Sequence, residues 1–140
     1  MAEGLEKGSV APPFSAETLT GEVVTLANYA RKAVSFVFIS PDCGPCVDAL
    51  VTINTLATKA HKAGIEMVLV STGGEKQETE ALIQKHQVTV PLLYAPYEQN
   101  SFARDYKADS TPFYCMVNQD SRVESSGFFA AGWEKQLLGT

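Results

Sequence analysis

Two cysteines separated by two residues, Cys43-Gly44-Pro45-Cys46, mark a junction between two hydrophobic patterns. Residues 34–39, just before the pair, form an almost continuous apolar run, as expected of a central strand that is covered on both faces. From Cys46 onward, apolar side chains recur at helical spacing until Gly64, a natural helix stop. The junction therefore predicts two thiols at the N-terminus of a helix that follows a buried strand.

A helix N-terminus changes the chemistry of a thiol. Its unpaired N–H groups and the positive end of the helix dipole stabilise an anion, so the first sulfur should have a lowered pKa and attack as a thiolate. The second sulfur lies one helical turn later, close enough to resolve the resulting mixed disulfide. The pattern indicates a thiol–disulfide oxidoreductase whose redox group is the Cys43–Cys46 disulfide itself, with no added cofactor.

Other interpretations of the cysteine pair fit less well. A zinc site would need a second pair of ligands, and the remaining candidates, Cys115, His61 and His86, match no common zinc spacing, so we expect no metal site. A structural disulfide that closes so short a loop would remove little entropy from the unfolded chain. Cys115 lies in an apolar strand-like run, where a small buried core residue is the expected role and a third redox cysteine is the alternative.

Composition limits the possible partners. The 140 residues are 45% hydrophobic and 19% charged, which suits one domain over residues 1–140. A net charge of −5 argues against nucleic acid or an anionic membrane surface as a partner. Residues 1–7 are expected to be disordered or vector-derived. Residues 1–9 also lack the basic-then-apolar layout of a signal peptide, so the protein is either cytoplasmic or shown here without a signal or anchor.

The remaining hydrophobic pattern alternates between strands and helices. It predicts an extended segment over 8–14 and a turn over 19–22. Strands are expected at 23–26, 34–39, 65–70, 88–94, 113–117 and 123–129, and helices from 46 to about 63, over 76–86, 98–106 and 133–138. This order predicts an α/β fold, a mixed sheet with helices on both faces.

Four sequence motifs connect the chain to a known family. They are Gly8-x-x-Ala11-Pro12-x-Phe14, Leu19-x-Gly21-x-x-Val24-x-Leu26-x-x-Tyr29, the strand into Cys43-Gly44-Pro45-Cys46, and Ser110-Thr111-Pro112-Phe113. The chain resembles the TlpA-like redoxins of the thioredoxin superfamily. Phe38-Ile39-Ser40-Pro41 before Asp42 is similar to the MauD-type, AhpC/TSA-like branch. The resemblance implies a thioredoxin-like fold with an N-terminal extension and a helix-plus-strand insertion before Thr111.

The resemblance also assigns roles to individual residues. It implies that Cys43 is the attacking thiolate and that Cys46 is the resolving thiol. It implies that Pro112 forms a cis-proline facing the two cysteines, although a trans proline that opens a strand is the alternative. Thr111 would then pair with an extended substrate peptide.

Gly44 and Pro45 would complete that substrate-binding surface. A Gly-Pro pair between the cysteines also resembles reducing thioredoxins, so we expect a reductant or a moderate, isomerase-like enzyme.

Three positions depart from related redoxins. Plain thioredoxin has tryptophan before the first cysteine, where this chain has Asp42, a residue that would either oppose thiolate formation or cap the helix. Thioredoxin has a buried aspartate at the position of Val37, and some TlpA-like proteins have an acid at the position of Ala49. Neither usual acid is therefore present to accept the proton of Cys46, so its resolution step should rely on water or on an acid from elsewhere in the chain.

Three function classes remain open. The first is a monomeric oxidoreductase that exchanges disulfides with protein substrates and an upstream redox partner, with an extracytoplasmic location favoured over a cytoplasmic one. The second is a peroxiredoxin-like peroxidase, whose Pro-x-x-x-Thr-x-x-Cys motif would place Ser40 at the threonine but has Phe36 at the proline. The third is a binding or chaperone-like module with a vestigial motif.

Overall fold

The apolar run before the cysteine pair is an interior strand of a mixed sheet. The computed structural model describes residues 4–129. Its strands are β1 (Ser15–Thr18), β2 (Val23–Thr25), β3 (Ala33–Ile39), β4 (Ile65–Ser71), β5 (Leu92–Tyr94), β6 (Phe113–Val117) and β7 (Val123–Phe128). They lie in the order β2-β1-β5-β4-β3-β6-β7, with β3 parallel to β4 and antiparallel to β6.

Helices cover both faces of this sheet. They are α1 (Gly44–Leu50), α2 (Ile53–Lys62), α3 (Lys76–Lys85) and α4 (Phe102–Asp105), with a 3-10 helix at Leu26–Tyr29. On one face, α1 and α2 bury Cys46 and Ile53 against Val37 of β3. On the other face, Phe36 and α4 belong to an aromatic cluster. The predicted α/β class, a mixed sheet between helices, is confirmed.

The aromatic cluster fixes the N-terminal part of the chain to the sheet. The rings of Phe14 and Phe102 stack with their centroids 3.9 Å apart, and Phe36 meets both of them edge-on at 5.3 Å. The Tyr106 hydroxyl donates to the carbonyl of Pro12 at 2.8 Å. These contacts tie the extended segment before β1 to β3.

Several predicted elements have different bounds. The helix after the cysteines starts at Gly44 and is divided into α1 and α2 at residues 51–52. The strand predicted at 23–26 ends at Thr25, and the helix predicted at 98–106 is limited to α4. The first strand, β1, was not predicted, because it is short and lies near the edge of the sheet with alternating exposure. The helix predicted at 133–138 lies outside the described residues.

The inserted strand β5 is shorter than the predicted 88–94 for a visible reason. The Asn54 side chain, on α2, donates to the carbonyl of Gln87 at 2.8 Å and accepts from the N–H of Thr89 at 2.9 Å. These backbone groups therefore pair with an amide rather than with a neighbouring strand. Together, α3 and β5 form the expected helix-plus-strand insertion between β4 and the Thr111–Pro112 segment.

The double contact of Asn54 gives a stability prediction. The variant Asn54→Ala should lower the free energy of unfolding by about 1–3 kcal/mol, because two backbone groups lose their partner. Urea denaturation measures the change. Thr55→Ala, at an exposed neighbour on the same helix, is the control and should change stability by less than about 0.5 kcal/mol. Equal losses in both variants would contradict a structural role for the amide.

Candidate active site

Cys43 itself caps the helix that carries the cysteine pair. It occupies the N-cap of α1 in extended conformation, and its Sγ accepts a hydrogen bond from the N–H of Cys46 at 3.2 Å. The interpretation of Asp42 as the cap is therefore wrong. Asp42 is exposed and lies one residue before the cap. An N-cap side chain normally accepts a hydrogen bond from the N–H of the residue two or three positions later, and here the sulfur of Cys43 is that acceptor.

The two sulfurs lie in different environments. They are joined as a disulfide with the Cα atoms 5.2 Å apart. Cys46 is 0% exposed in the cluster under α1, whereas Cys43 is only partly buried. Gly44 and Pro45, between them, are exposed on the first turn of the helix. Of the two sulfurs, Cys43 is therefore the more accessible, while Cys46 is shielded from solvent.

The Thr111–Pro112 segment faces Cys43 from the next strand. Its peptide bond is cis, as the resemblance implied, and the trans alternative is excluded. The carbonyl oxygen of Thr111 lies 3.4 Å from the Sγ of Cys43. The carbonyl of Pro112 accepts from the N–H of Phe129 at 3.0 Å, which ties the segment to the end of β7. The structure thus brings Thr111, Pro112 and the cysteine pair together, where β3 ends and β6 begins.

Apolar side chains stand where related redoxins have acids. Val37 is 0% exposed and belongs to the same buried cluster as Cys46, and Ala49 packs against that cluster. The buried polar side chains among residues 4–129 are all hydroxyls, namely Ser35, Ser71, Thr72 and Thr79. Among the residues described, no fully buried carboxylate is present to accept the proton of Cys46.

Cys115 lies apart from this site. It is buried in β6 within the aromatic cluster, on the face of the sheet opposite to Cys46. Burial raises the pKa of its thiol to about 12. A buried, protonated thiol is a poor nucleophile, so these observations support the role of a small core residue.

Among residues 4–129, no group of three or more His, Cys, Asp or Glu side chains is placed to hold a metal ion. His61 lies 3.4 Å from Glu66 in an exposed pair on the surface.

The sequence did not identify a loop that supports the cysteines. Gly73 and Gly74 separate β4 from α3, and they pack against Ser40 and Pro41, directly before the motif. Thr72 donates to the carbonyl of Ile39 with both its N–H (2.9 Å) and its Oγ1 (3.1 Å). The glycine pair was the available signal, but its packing partner lies more than 30 residues away in the chain.

Comparison with known proteins agrees with this geometry. A family model described as Redoxin matches residues 6–128. The chain belongs to the redoxin family. It is 26% identical over 117 residues to the thiol-disulfide oxidoreductase ResA of Geobacillus thermodenitrificans, covering 84% of this chain and 66% of that protein. It is 30% identical over 124 residues to the thioredoxin-like protein YneN of Bacillus subtilis, covering 86% and 71%.

This redoxin therefore spans about two thirds of the length of the curated relatives it matches. A solved structure from Chlorobium tepidum, described as a thiol:disulfide interchange protein DsbE, superposes with a TM-score of 0.84 at 22% identity. That match covers 96% of this chain and 94% of the other. The similarity confirms a thioredoxin-like fold.

The family and the bonded cysteine pair together identify the domain as a thioredoxin-like thiol–disulfide oxidoreductase. The comparisons do not favour the peroxiredoxin-like alternative. Phe36, at the proline position of the peroxidase motif, is fully buried in the aromatic cluster. The partner of Cys43 is a second cysteine three residues later in the chain.

The unequal burial of the thiols predicts an order of alkylation. In the reduced redoxin, iodoacetamide at neutral pH should modify Cys43 first, because Cys43 is accessible and lies at a helix N-terminus. Cys115, with a pKa of about 12, is on the order of one part in 10⁵ ionised at pH 7 and should react much more slowly. Mass spectrometry of peptides at timed intervals measures the order. Preferential labelling of Cys115 would contradict the assignment.

Val37 provides a prediction about proton transfer. The variant Val37→Asp should lower stability by about 1–3 kcal/mol or more, because it buries a polar group. It should also speed resolution by Cys46, but only above the pKa of the new carboxylate, which burial raises, since only the ionised form accepts a proton. The measurement is single-turnover release of a thiol from a mixed disulfide on Cys43, across about pH 5–9.

Val37→Asn is the matched control for that experiment. It buries a polar group of similar size that does not titrate, so stability should fall without a pH-dependent gain in rate. A carboxylate-like titration in the wild-type protein would show that another acid reaches Cys46 and would contradict the interpretation of Val37.

Proposed function

We propose that this redoxin reduces or exchanges disulfide bonds in protein substrates through a mixed disulfide on Cys43. The observation that carries the proposal is the partly exposed sulfur of Cys43 at a helix N-cap, bonded to the fully buried sulfur of Cys46. Because only the sulfur of Cys43 is accessible, a substrate disulfide can react with Cys43 but not directly with the shielded Cys46. This asymmetry supports the roles of attacking and resolving cysteine.

The proposed reaction transfers two electrons in two exchanges. The Cys43 thiolate attacks one sulfur of a substrate disulfide, forms a mixed disulfide and releases the other substrate sulfur as a thiolate. Cys46 then loses its proton and attacks the Sγ of Cys43, which releases the second substrate thiol and leaves the Cys43–Cys46 disulfide. A dithiol protein upstream reduces that disulfide again by the same steps in reverse.

Backbone groups favour the first exchange. When the pair is reduced, the N–H of Cys46, now 3.2 Å from the Sγ of Cys43, is placed to stabilise the thiolate, and so is the dipole of α1. The carbonyl of Thr111, at 3.4 Å, is an acceptor for a thiol proton and would repel a thiolate. The balance between these two neighbours sets the fraction of Cys43 that is ionised.

The substrate platform consists of Gly44, Pro45, Thr111 and Pro112. Gly44 and Pro45 present little side-chain bulk on the exposed first turn of α1. The backbone of Thr111 lies beside Cys43, where an extended peptide can pair with it as a short strand. Such pairing binds the main chain of the substrate rather than particular side chains, so it suits an enzyme that acts on varied protein disulfides.

The cellular setting is also a proposal. We place the activity outside the cytoplasm, where protein disulfides form and persist and where a partner must supply electrons. Among residues 4–129, no helix is long and apolar enough to cross a membrane. A single chain carries all the proposed site residues, so we propose a monomer that acts with one redox partner at a time.

Insulin reduction tests the activity. With dithiothreitol as electron donor, the wild-type redoxin should accelerate the precipitation of insulin chains, and Cys43→Ser should abolish the acceleration. Cys46→Ser should instead accumulate a covalent complex with a disulfide substrate, visible on non-reducing gels, because the resolving thiol is missing. Rapid consumption of hydrogen peroxide without insulin reduction would favour a peroxidase. Inactivity in both assays would favour a binding module.

A further inference from the structure

The turn that leads into Cys43 is packed against a glycine loop from the neighbouring strand. This loop, residues 72–75, follows β4 and is called the support loop here. Thr72 donates twice to the carbonyl of Ile39, the last residue of β3, at 2.9 and 3.1 Å. The support loop thus begins at the point where the chain leaves the sheet toward the active site.

Two glycines allow this loop to come unusually close. A Cβ atom on Gly73 would lie 2.9 Å from the Oγ of Ser40, too close for an unshifted neighbour. Gly74 has φ +71°, a left-handed conformation that side chains disfavour, and a Cβ there would lie 3.2 Å from the Cγ of Pro41. The backbone of the support loop therefore packs directly on Ser40 and Pro41.

Ser40 connects the support loop to the reactive cysteine. Its carbonyl accepts the N–H of Cys43 at 3.1 Å, and its Oγ lies 3.4 Å from the N–H of Asp42. A shift of Ser40 would move Cys43 relative to the N–H of Cys46 and the carbonyl of Thr111, at 3.2 and 3.4 Å. Those two distances decide how well the Cys43 sulfur is held as an anion.

The inserted strand holds the support loop from the other side. The Tyr94 hydroxyl donates to the carbonyl of Gly74 at 2.8 Å. The N–H groups of Ala95 and Tyr97 donate to the carbonyls of Ser71 and Thr72 at 2.9 and 2.8 Å. Of these contacts, the Tyr94 hydroxyl is the only one made by a side chain, so it can be removed without changing the backbone.

We propose that Gly73, Gly74 and Tyr94 are positioning residues for Cys43, and that the inserted strand β5 acts through them to set the reactivity of the attacking sulfur. The inference rests on the proposed role of Cys43 as the nucleophile. It assigns a function to the helix-plus-strand insertion, because β5 carries the Tyr94 hydroxyl to a loop that touches the residues just before the motif.

Removal of one hydroxyl tests the contribution of Tyr94. Tyr94→Phe should slow alkylation of reduced Cys43 by iodoacetamide at pH 7 by roughly three- to tenfold, within the range that one net hydrogen bond supports. The pH midpoint of alkylation should rise, because a displaced sulfur is less well stabilised as a thiolate. Tyr97→Phe is the matched control, since no hydrogen bond to its hydroxyl is found among residues 4–129. The control should react like wild type.

A pair of substitutions tests the contact of Gly73. Gly73→Ala should slow Cys43 alkylation, because the new methyl group meets the Ser40 hydroxyl at 2.9 Å. The double variant Ser40→Ala with Gly73→Ala should recover most of the rate of Ser40→Ala alone, because the remaining contact, to the Cβ of residue 40, would be an ordinary 3.7 Å. Urea denaturation of every variant separates these effects from a general loss of stability.

The outcomes distinguish this inference from the proposed function. If wild-type Cys43 is not the first thiol alkylated, the role of Cys43 itself is wrong. If it is, but Tyr94→Phe matches Tyr97→Phe in rate and pH midpoint, the positioning role is overturned. Slow alkylation in Gly73→Ala that Ser40→Ala does not relieve would also overturn it. A shifted pH midpoint in Tyr94→Phe together with recovery in the double variant would support it.

Discussion

The hydrogen bond from the N–H of Cys46 to the Sγ of Cys43 is the contact on which the site depends. It places one sulfur at the N-cap of α1, where the first helical N–H groups have no other partner. The other sulfur is carried one turn into the helix, where it is fully buried. The same helix start thus leaves the sulfur of Cys43 partly accessible and the sulfur of Cys46 shielded.

Segments from two strands next to β3 lie beside the start of α1. Strand β3 lies between β4, which is parallel to it, and β6, which is antiparallel. The end of β3 therefore meets both the end of β4 and the beginning of β6. The support loop after β4 contacts Ser40 and Pro41, while Thr111, just before β6, contacts Cys43. A mixed sheet order is what brings these three segments to one edge.

The site combines a sulfur at a helix N-terminus, that of Cys43, with apolar side chains around the buried Cys46. Val37 and Ala49 keep the surroundings of Cys46 free of the acids that related redoxins use, and Asp42 lies outside the helix cap. A buried carboxylate costs stability, whereas valine contributes to the core. Around the cysteine pair, the described residues therefore offer backbone N–H groups and a helix end to the sulfur of Cys43, but no fully buried carboxylate to the proton of Cys46.

The sequence by itself determined the local features: the cysteine pair between a buried strand and a helix, the alternation of strands and helices, and the two strands expected at 113–117 and 123–129. These follow from hydrophobic period and turn chemistry, which act between residues close in the chain. Only the tertiary structure decided where β5 begins, because Asn54 pairs with backbone groups more than 30 residues away. It also decided that Gly73 packs on Ser40 and that Thr111 meets Cys43 across 68 residues. Such contacts depend on the order of strands in the sheet, which no local pattern encodes.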